Sequence, residues 1–288
     1  MKNILLFFLC LPLISFAQTG GHRHNPTVSP PEIPDSFNLF TERVPLEIQD
    51  VYERFDREML VNTYLQGGNL YVLKLATRWL PMITEKLRAQ NIPEDFKYLC
   101  VAESALQNQV SKAGATGFWQ FMRSTGPGYG LEINNYVDER YHPEKSTDAA
   151  IRYLKMAYDK FGNWTAAAAS YNCGMGGYNS RAMEQGSFYF YDLYLPEETM
   201  RYIFRIMALK YIIESPEESG FKVTEQHAYL PYQVKDSLVD YAIPSLVKFA
   251  KNNGTNYKTL RLLNPWLRGS MLPNRSRKTY KISLPAKN

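Results

Sequence analysis

Apolar residues recur at steps of three and four from about residue 46 to about residue 215, a helical period that fills most of the chain. In PLEIQDVYERFDREMLVNTYL, Ile48, Val51, Tyr52, Phe55, Met59 and Leu60 fall on one stripe, and Gly67-Gly68 is expected to end that helix. LYVLKLATRWLPMITEKLRAQ predicts a second helix with Pro81 as a kink point. Pro93-Glu94-Asp95 suits a first helical turn, because proline's fixed φ fits there and acids favour the positive helix end. Ser146-Thr147-Asp148 opens another helix, with Ala150, Ile151, Leu154, Ala157, Tyr158 and Phe161 on its apolar stripe and Gly162 at its end. Asn163 or Thr165 caps WTAAAASYN, which stops at Gly174, and ETMRYIFRIMALKYIIES stops before Pro216. Period-two alternation is absent up to about residue 222, so residues 46–222 are predicted to form an all-helical body.

The two flanks differ. Residues 18–45 hold TGGHRHNPTVSPPEIPDS, without a period, and read as a linker or arm. Residues 223–288 run from a strand-like DYAI (240–243) through short helices in SLVKFAKNNG and NYKTLRLLNPWL to an alternating TYKISLP. Strand, helix, helix, strand predicts a small α+β module. At the start, MKNILLFFLCLPLISFAQ has a basic Lys2 and an apolar run, Ile4 to Ile14, too short for a permanent span. Ser15 and Ala17 suit a signal-peptidase site, so residues 1–17 are expected to be a cleaved signal. The mature chain is then expected in the periplasm or at the outer membrane.

Composition narrows the class. A hydrophobic fraction of 45% and a charged fraction of 21% are ordinary for a globular protein. The net charge of +5 suits an anionic wall polymer and is too weak to argue for nucleic acid. The 21 Tyr, 15 Phe and 4 Trp suit a Tyr-rich core, with some rings free for sugar faces. Cys100 and Cys173 remain after signal removal; they either pair or stand as two small buried thiols, and the second reading is preferred. His22 and His24 lack an acidic or Cys partner nearby, and neither metal nor cofactor is expected.

One acid stands out. On the helix from about residue 93, Phe96, Leu99, Cys100 and Glu103 share a face. Tyr98, Val101 and Ala102 make the opposite face apolar as well. A carboxyl that loses solvation there has a raised pKa, as a general acid needs. Position alone leaves two other readings: a surface residue at a helix end, and a buried structural acid with a basic partner. The surroundings favour chemistry. Gly114-Ala115-Thr116-Gly117-Phe118-Trp119-Gln120-Phe121-Met122 combines glycines, which let a backbone approach a ligand, with aromatic faces and an amide. Pro127, Gly128 and Gly130 extend this irregular wall. Ser170-Tyr171-Asn172-Cys173-Gly174 repeats the formula at a helix end.

Glu103-Ser104, then SKAGATGFWQFM, then SYNCG, resemble the spaced motifs of the soluble lytic transglycosylase family over roughly residues 85–215. The resemblance implies a lysozyme-like helical domain acting on peptidoglycan glycan strands. It implies non-hydrolytic cleavage of the MurNAc–GlcNAc β-1,4 bond, leaving a 1,6-anhydro end. By the same resemblance Glu103 is the single acid/base. Ser111, Gln120, Met122, Tyr171 and Asn172 contact substrate, and Ser104, Gly114, Ala115, Gly117 and Trp119 support the site. Arg123-Ser124 and Cys173 depart from the family's pattern. The tail resembles a LysM peptidoglycan-binding module, but Ile243-Pro244-Ser245 replaces the usual Gly-Asp turn, so a packing module is the alternative. Other proteins of the cell-wall machinery are conceivable partners that the sequence leaves unnamed. Two further functions compete: a non-catalytic wall-binding protein, and a hydrolase with Asp138 as second carboxylate, although Asp138-Glu139-Arg140 reads more naturally as an internal salt bridge.

Overall fold

The structure is a computed structural model, and it describes residues 29–286. The expected signal segment, 1–17, and His22 and His24 lie outside the described residues. The order is β1 (Phe37–Leu39), β2 (Glu42–Val44), α1 (Gln49–Thr63), α2 (Gln66–Arg88), α3 (Phe96–Ser104), α4 (Pro143–Phe161), α5 (Trp164–Cys173), α6 (Met175–Gln185), α7 (Glu197–Glu214), β3 (Val234–Val239), α8 (Leu246–Asn252), α9 (Tyr257–Leu263) and β4 (Tyr280–Pro285). The body is helical as predicted, and α7 packs on α1, α3 and α5. One apolar core joins the β1–β2 hairpin to α7, with Phe55, Ile83, Leu99, Leu154 and Ile203 fully buried. A second core, built on Val239, Leu246, Leu260 and Ile282, fills the C-terminal module and includes Val137 from the body.

Several local expectations are corrected. The arm expected through residue 45 contains a packed antiparallel hairpin, pairing Phe37 with Val44 and Leu39 with Glu42. Phe37, Leu39, Phe40 and Val44 are buried, and its turn uses left-handed Phe40 and Thr41 in place of Asn-Gly, which hid the signal. Gly67 and Gly68 do not end α1; they lie in the first turn of α2, after a break at Tyr64-Leu65. Of the α1 stripe, Val51, Phe55 and Met59 are buried, whereas Ile48, Tyr52 and Leu60 are exposed. Pro81 sits inside α2. Helix α4 begins at Pro143, three residues before the expected Ser146, because proline occupies its first position. Gly162 ends α4 in the left-handed conformation, and the Asn163 side chain caps Ala166 N. Helix α6, starting directly after Gly174, was not legible behind Gly176 and Gly177. In the tail, the first strand is β3 and not 240–243; Ile243 makes only an isolated bridge to Leu272. β3 and β4 pair antiparallel from Val234–Pro285 to Val239–Tyr280.

Candidate active site

Helix α3 brings Glu103 to its last turn and then stops abruptly. Ala105 (φ 51°) and Leu106 (φ 57°) are both left-handed, a conformation non-glycine residues adopt at a cost of roughly 1–3 kcal/mol each. Buried Leu106 anchors this reversal in the core. The helix end therefore opens toward a cavity of about 360 Å³, lined on one side by Glu103, Ser104, Gln107 and Gln109 and on the other by Asn69, Tyr71 and Arg205. Among the described residues lining it, Glu103 is the only carboxylate.

The Glu103 carboxyl is half-buried. Burial, the largest effect, raises its pKa to about 7, against the opposing pull of a hydrogen bond from Tyr202 and the positive charge of Arg205; the Glu198 charge adds a smaller upward push. The Tyr202 hydroxyl donates to Oε1 of Glu103. Tyr202 is itself buried, and its phenol is pushed well above the ordinary range by that burial and by the adjacent carboxylate. Sequence reasoning missed Tyr202 and Arg205: both lie on α7, Tyr202 on its buried stripe and Arg205 on its partly exposed side, and only the crossing of α7 and α3 brings them to Glu103.

The glycine-rich stretch is a compact knot held by its own backbone. Val110 bridges Thr116, and Thr116 bridges Phe121. Gly117 has φ +85°, and an added Cβ would lie 1.9 Å from the Arg140 carbonyl oxygen. Only glycine lets these two backbone segments meet. Gly114 is also left-handed, and Ser111 Oγ accepts the Ala115 N–H at 3.0 Å. Gln120, at φ 48°, donates its side-chain amide to Gly117 O (2.8 Å) and Gln109 O (3.2 Å). Gln109 in turn donates to Ser104 O at 2.7 Å, which links the knot to the end of α3.

The expected aromatic wall is not there. Phe118, Trp119 and Phe121 are buried in the core, and Trp119 Nε1 donates to Thr147 Oγ1 on α4 at 2.9 Å. These rings fasten the knot to the body; they do not face a ligand. Tyr171 donates its hydroxyl to Trp119 O at 2.7 Å, and burial together with the Glu103 charge raises its pKa far above the ordinary value. Asn172 Oδ1 accepts from Thr199 Oγ1 at 2.8 Å, tying α5 to the first turn of α7. Ser111 and Met122 are exposed; these two, Gln120, Tyr171 and Asn172 are not among the residues that line the Glu103 cavity. Cys100 and Cys173 are free thiols, the first buried and the second half-buried. Asp138 pairs with Arg140 at 2.7 Å, both of them buried, in the internal salt bridge the sequence suggested.

Residues 81–192 match the family model described as "Transglycosylase SLT domain". The chain carries an SLT domain. Residues 235–288 match a second model, "Soluble lytic transglycosylase C-terminal LysM-like domain". The fold is thus a lysozyme-like helical domain with a LysM-like C-terminal domain. Membrane-bound lytic murein transglycosylase D of Escherichia coli (strain K12) is 29% identical over 205 residues, which is 68% of this chain and 44% of that protein. The protein of the same description from Escherichia coli O6:H1 gives the same figures. The chain thus spans less than half the length of the curated relatives it matches. Asn69, Tyr202 and Arg205 lie outside the SLT match, although they frame its acid. Among the described residues no helix is long and apolar enough to cross a membrane.

Proposed function

We propose that this chain is an exported lytic transglycosylase that cleaves the MurNAc–GlcNAc β-1,4 bond of peptidoglycan, with Glu103 as its single acid/base. The observation that carries this reading is a half-buried carboxyl with a pKa near 7, opening on a cavity that holds no second carboxylate among its described lining residues. At neutral pH a substantial fraction of Glu103 is protonated and able to donate. Its proton goes to the leaving glycosidic oxygen as the C1–O bond breaks. The carboxylate so formed takes the proton of the substrate's own C6 hydroxyl as that oxygen bonds to C1, which closes the 1,6-anhydro ring and restores the acid. No water enters, and the intramolecular attack rests on positioning.

Tyr202 supports the second half of this cycle, because its hydrogen bond favours the charged form of Glu103 and fixes Oε1. Oε2 is left without a partner among the described residues, free for the leaving oxygen. Gln120, Met122 and Ser111 are assigned to the glycan-facing side of the knot, and Tyr171 and Asn172 to the opposite flank. Ser104, Gly114, Ala115, Gly117 and Trp119 hold the frame. A hydrolytic mechanism would need a second carboxylate at a set distance. Asp138, the reserve for that role, is engaged by Arg140.

The deciding experiment is mass spectrometry of products from purified peptidoglycan treated with the wild type and with Glu103→Gln. Anhydro ends from the wild type alone support the reading. Reducing ends move it to a hydrolase, and binding without product makes the groove a recognition site.

A further inference from the structure

The C-terminal domain grips the segment that frames the glycine knot. Val137 belongs to the apolar core of that domain and bridges Leu267. Asp138 N donates to Trp266 O at 2.9 Å, and Arg268 N donates to Tyr136 O at 2.7 Å. Lys278 Nζ pairs with Glu132 at 2.6 Å and with Glu139 at 3.4 Å. The Tyr280 hydroxyl reaches both Glu132 carboxyl oxygens at 3.0 Å. His142 stacks on Trp266, which stacks on Tyr280.

From the same segment Arg140 reaches the opposite way. Its Nε and Nη2 hold the Asp138 carboxylate at 2.9 and 2.7 Å. Its Nη1 donates to Gly114 O and to Phe121 O, each at 3.2 Å. These two carbonyls are the ends of the knot that carries Gly117 and Gln120. Asp138 fixes the guanidinium, and the guanidinium fixes the knot. A lysine keeps the charge but cannot reproduce this fork.

We propose that Arg140 is a positioning residue through which the C-terminal domain holds the glycine knot, and with it Gln120, in the shape that receives glycan. The domain is therefore a buttress of the binding groove. This rests on the glycan reading of the groove, so the test separates the two. Steady-state cleavage of purified peptidoglycan gives KM and kcat. Titration of a soluble N-acetylglucosamine oligomer into the same full-length proteins, each carrying Glu103→Gln, gives Kd without chemistry.

Arg140→Lys is expected to raise KM and Kd about tenfold, with kcat changed far less, since Glu103 and Tyr202 stand on α3 and α7 and not on the knot. Lys278→Ala with Tyr280→Phe, remote from the groove, is expected to raise both about threefold through the same path. Combining all three substitutions should give little more than Arg140→Lys alone, because the effects share one route. KM and Kd at wild-type values in both variants, a loss confined to kcat, or fully multiplicative effects would overturn the proposal. If Arg140→Lys does not fold, the tail variant decides the matter. A wild type that neither cuts nor binds glycan refutes the function instead.

Discussion

Glu103 receives its hydrogen bond from Tyr202, 99 positions further along the chain and on a different helix. The bond opposes the effect of burial, since it stabilises the charged carboxylate while burial disfavours it. The balance leaves the carboxyl with a pKa of about 7, where the proposed cycle has it both give and take a proton.

Removing the Tyr202 hydroxyl tests that balance. In Tyr202→Phe, the downward pull on the Glu103 pKa is lost, so the alkaline limb of the kcat/KM profile should move to higher pH. The rate at the optimum should fall by about 10- to 100-fold, because the base half of the cycle loses its orienting partner. A profile superimposable on the wild type would refute this role.

The pH dependence of the wild type has two parts. The proposed mechanism needs protonated Glu103, so kcat/KM should decline about tenfold per pH unit above the pKa near 7. Stability follows from the same shift. The folded pKa near 7 lies above the ordinary value of 4.5, so folding takes up a proton between these values. The contribution of Glu103 to stability is therefore fullest below pH 4.5 and is lost as pH rises through 7. Glu103→Gln removes this dependence. At pH 8 that variant should be more stable than the wild type by ~1–2 kcal/mol, allowing for solvation from the groove, with the gap gone near pH 4 in calorimetric scans.

Gly117 and Gly67 should respond oppositely to alanine. At Gly117 a Cβ meets the Arg140 carbonyl at 1.9 Å with φ at +85°, so Gly117→Ala should cost at least ~3 kcal/mol. At Gly67 nothing lies within 4 Å and the residue is helical, so Gly67→Ala should add ~0.5–1 kcal/mol. Urea unfolding of the two proteins checks both signs.

Glu42, on β2, caps helix α5 from outside. It accepts Trp164 N at 2.6 Å, Thr165 N at 2.9 Å and the Thr165 hydroxyl at 2.6 Å. Glu42→Ala should cost ~1–3 kcal/mol, since two backbone donors at a helix N-terminus lose a charged acceptor. An unchanged melting temperature would show that water replaces it freely.

What the sequence disclosed was local. The period of α4, its end at Gly162 and the cap at Asn163 follow from neighbours within a turn or two, and each is readable in order. Glu103 itself was legible, because one acid on an apolar helix face violates the pattern around it. Tyr202 and Arg205 were not, since Tyr202 lies on the buried stripe of α7 and Arg205 reads as an ordinary polar position of the same helix. Their role comes from α7 crossing α3, a relation that no local spacing encodes. Trp119 misled for the same reason: beside glycines it resembled a ligand-facing ring, yet the turn at Gly117 sends it inward to Thr147. The β1–β2 hairpin hid behind an unusual Phe-Thr turn.

The ties between the segment around Glu132 and the last strand have a consequence for how the protein is made. Lys278 meets Glu132 across 146 residues, and Tyr280 meets it across 148. A chain is synthesised from its N-terminus, so Glu103 and the glycine knot exist well before their far anchor does. Closing contacts of such separation is slow and comes late in folding. A ribosome that stalls before Lys278 therefore releases a protein with its acid in place and its grip on the strand unfinished. Under the proposed function, this order would tie the finished shape of the groove to completion of β4.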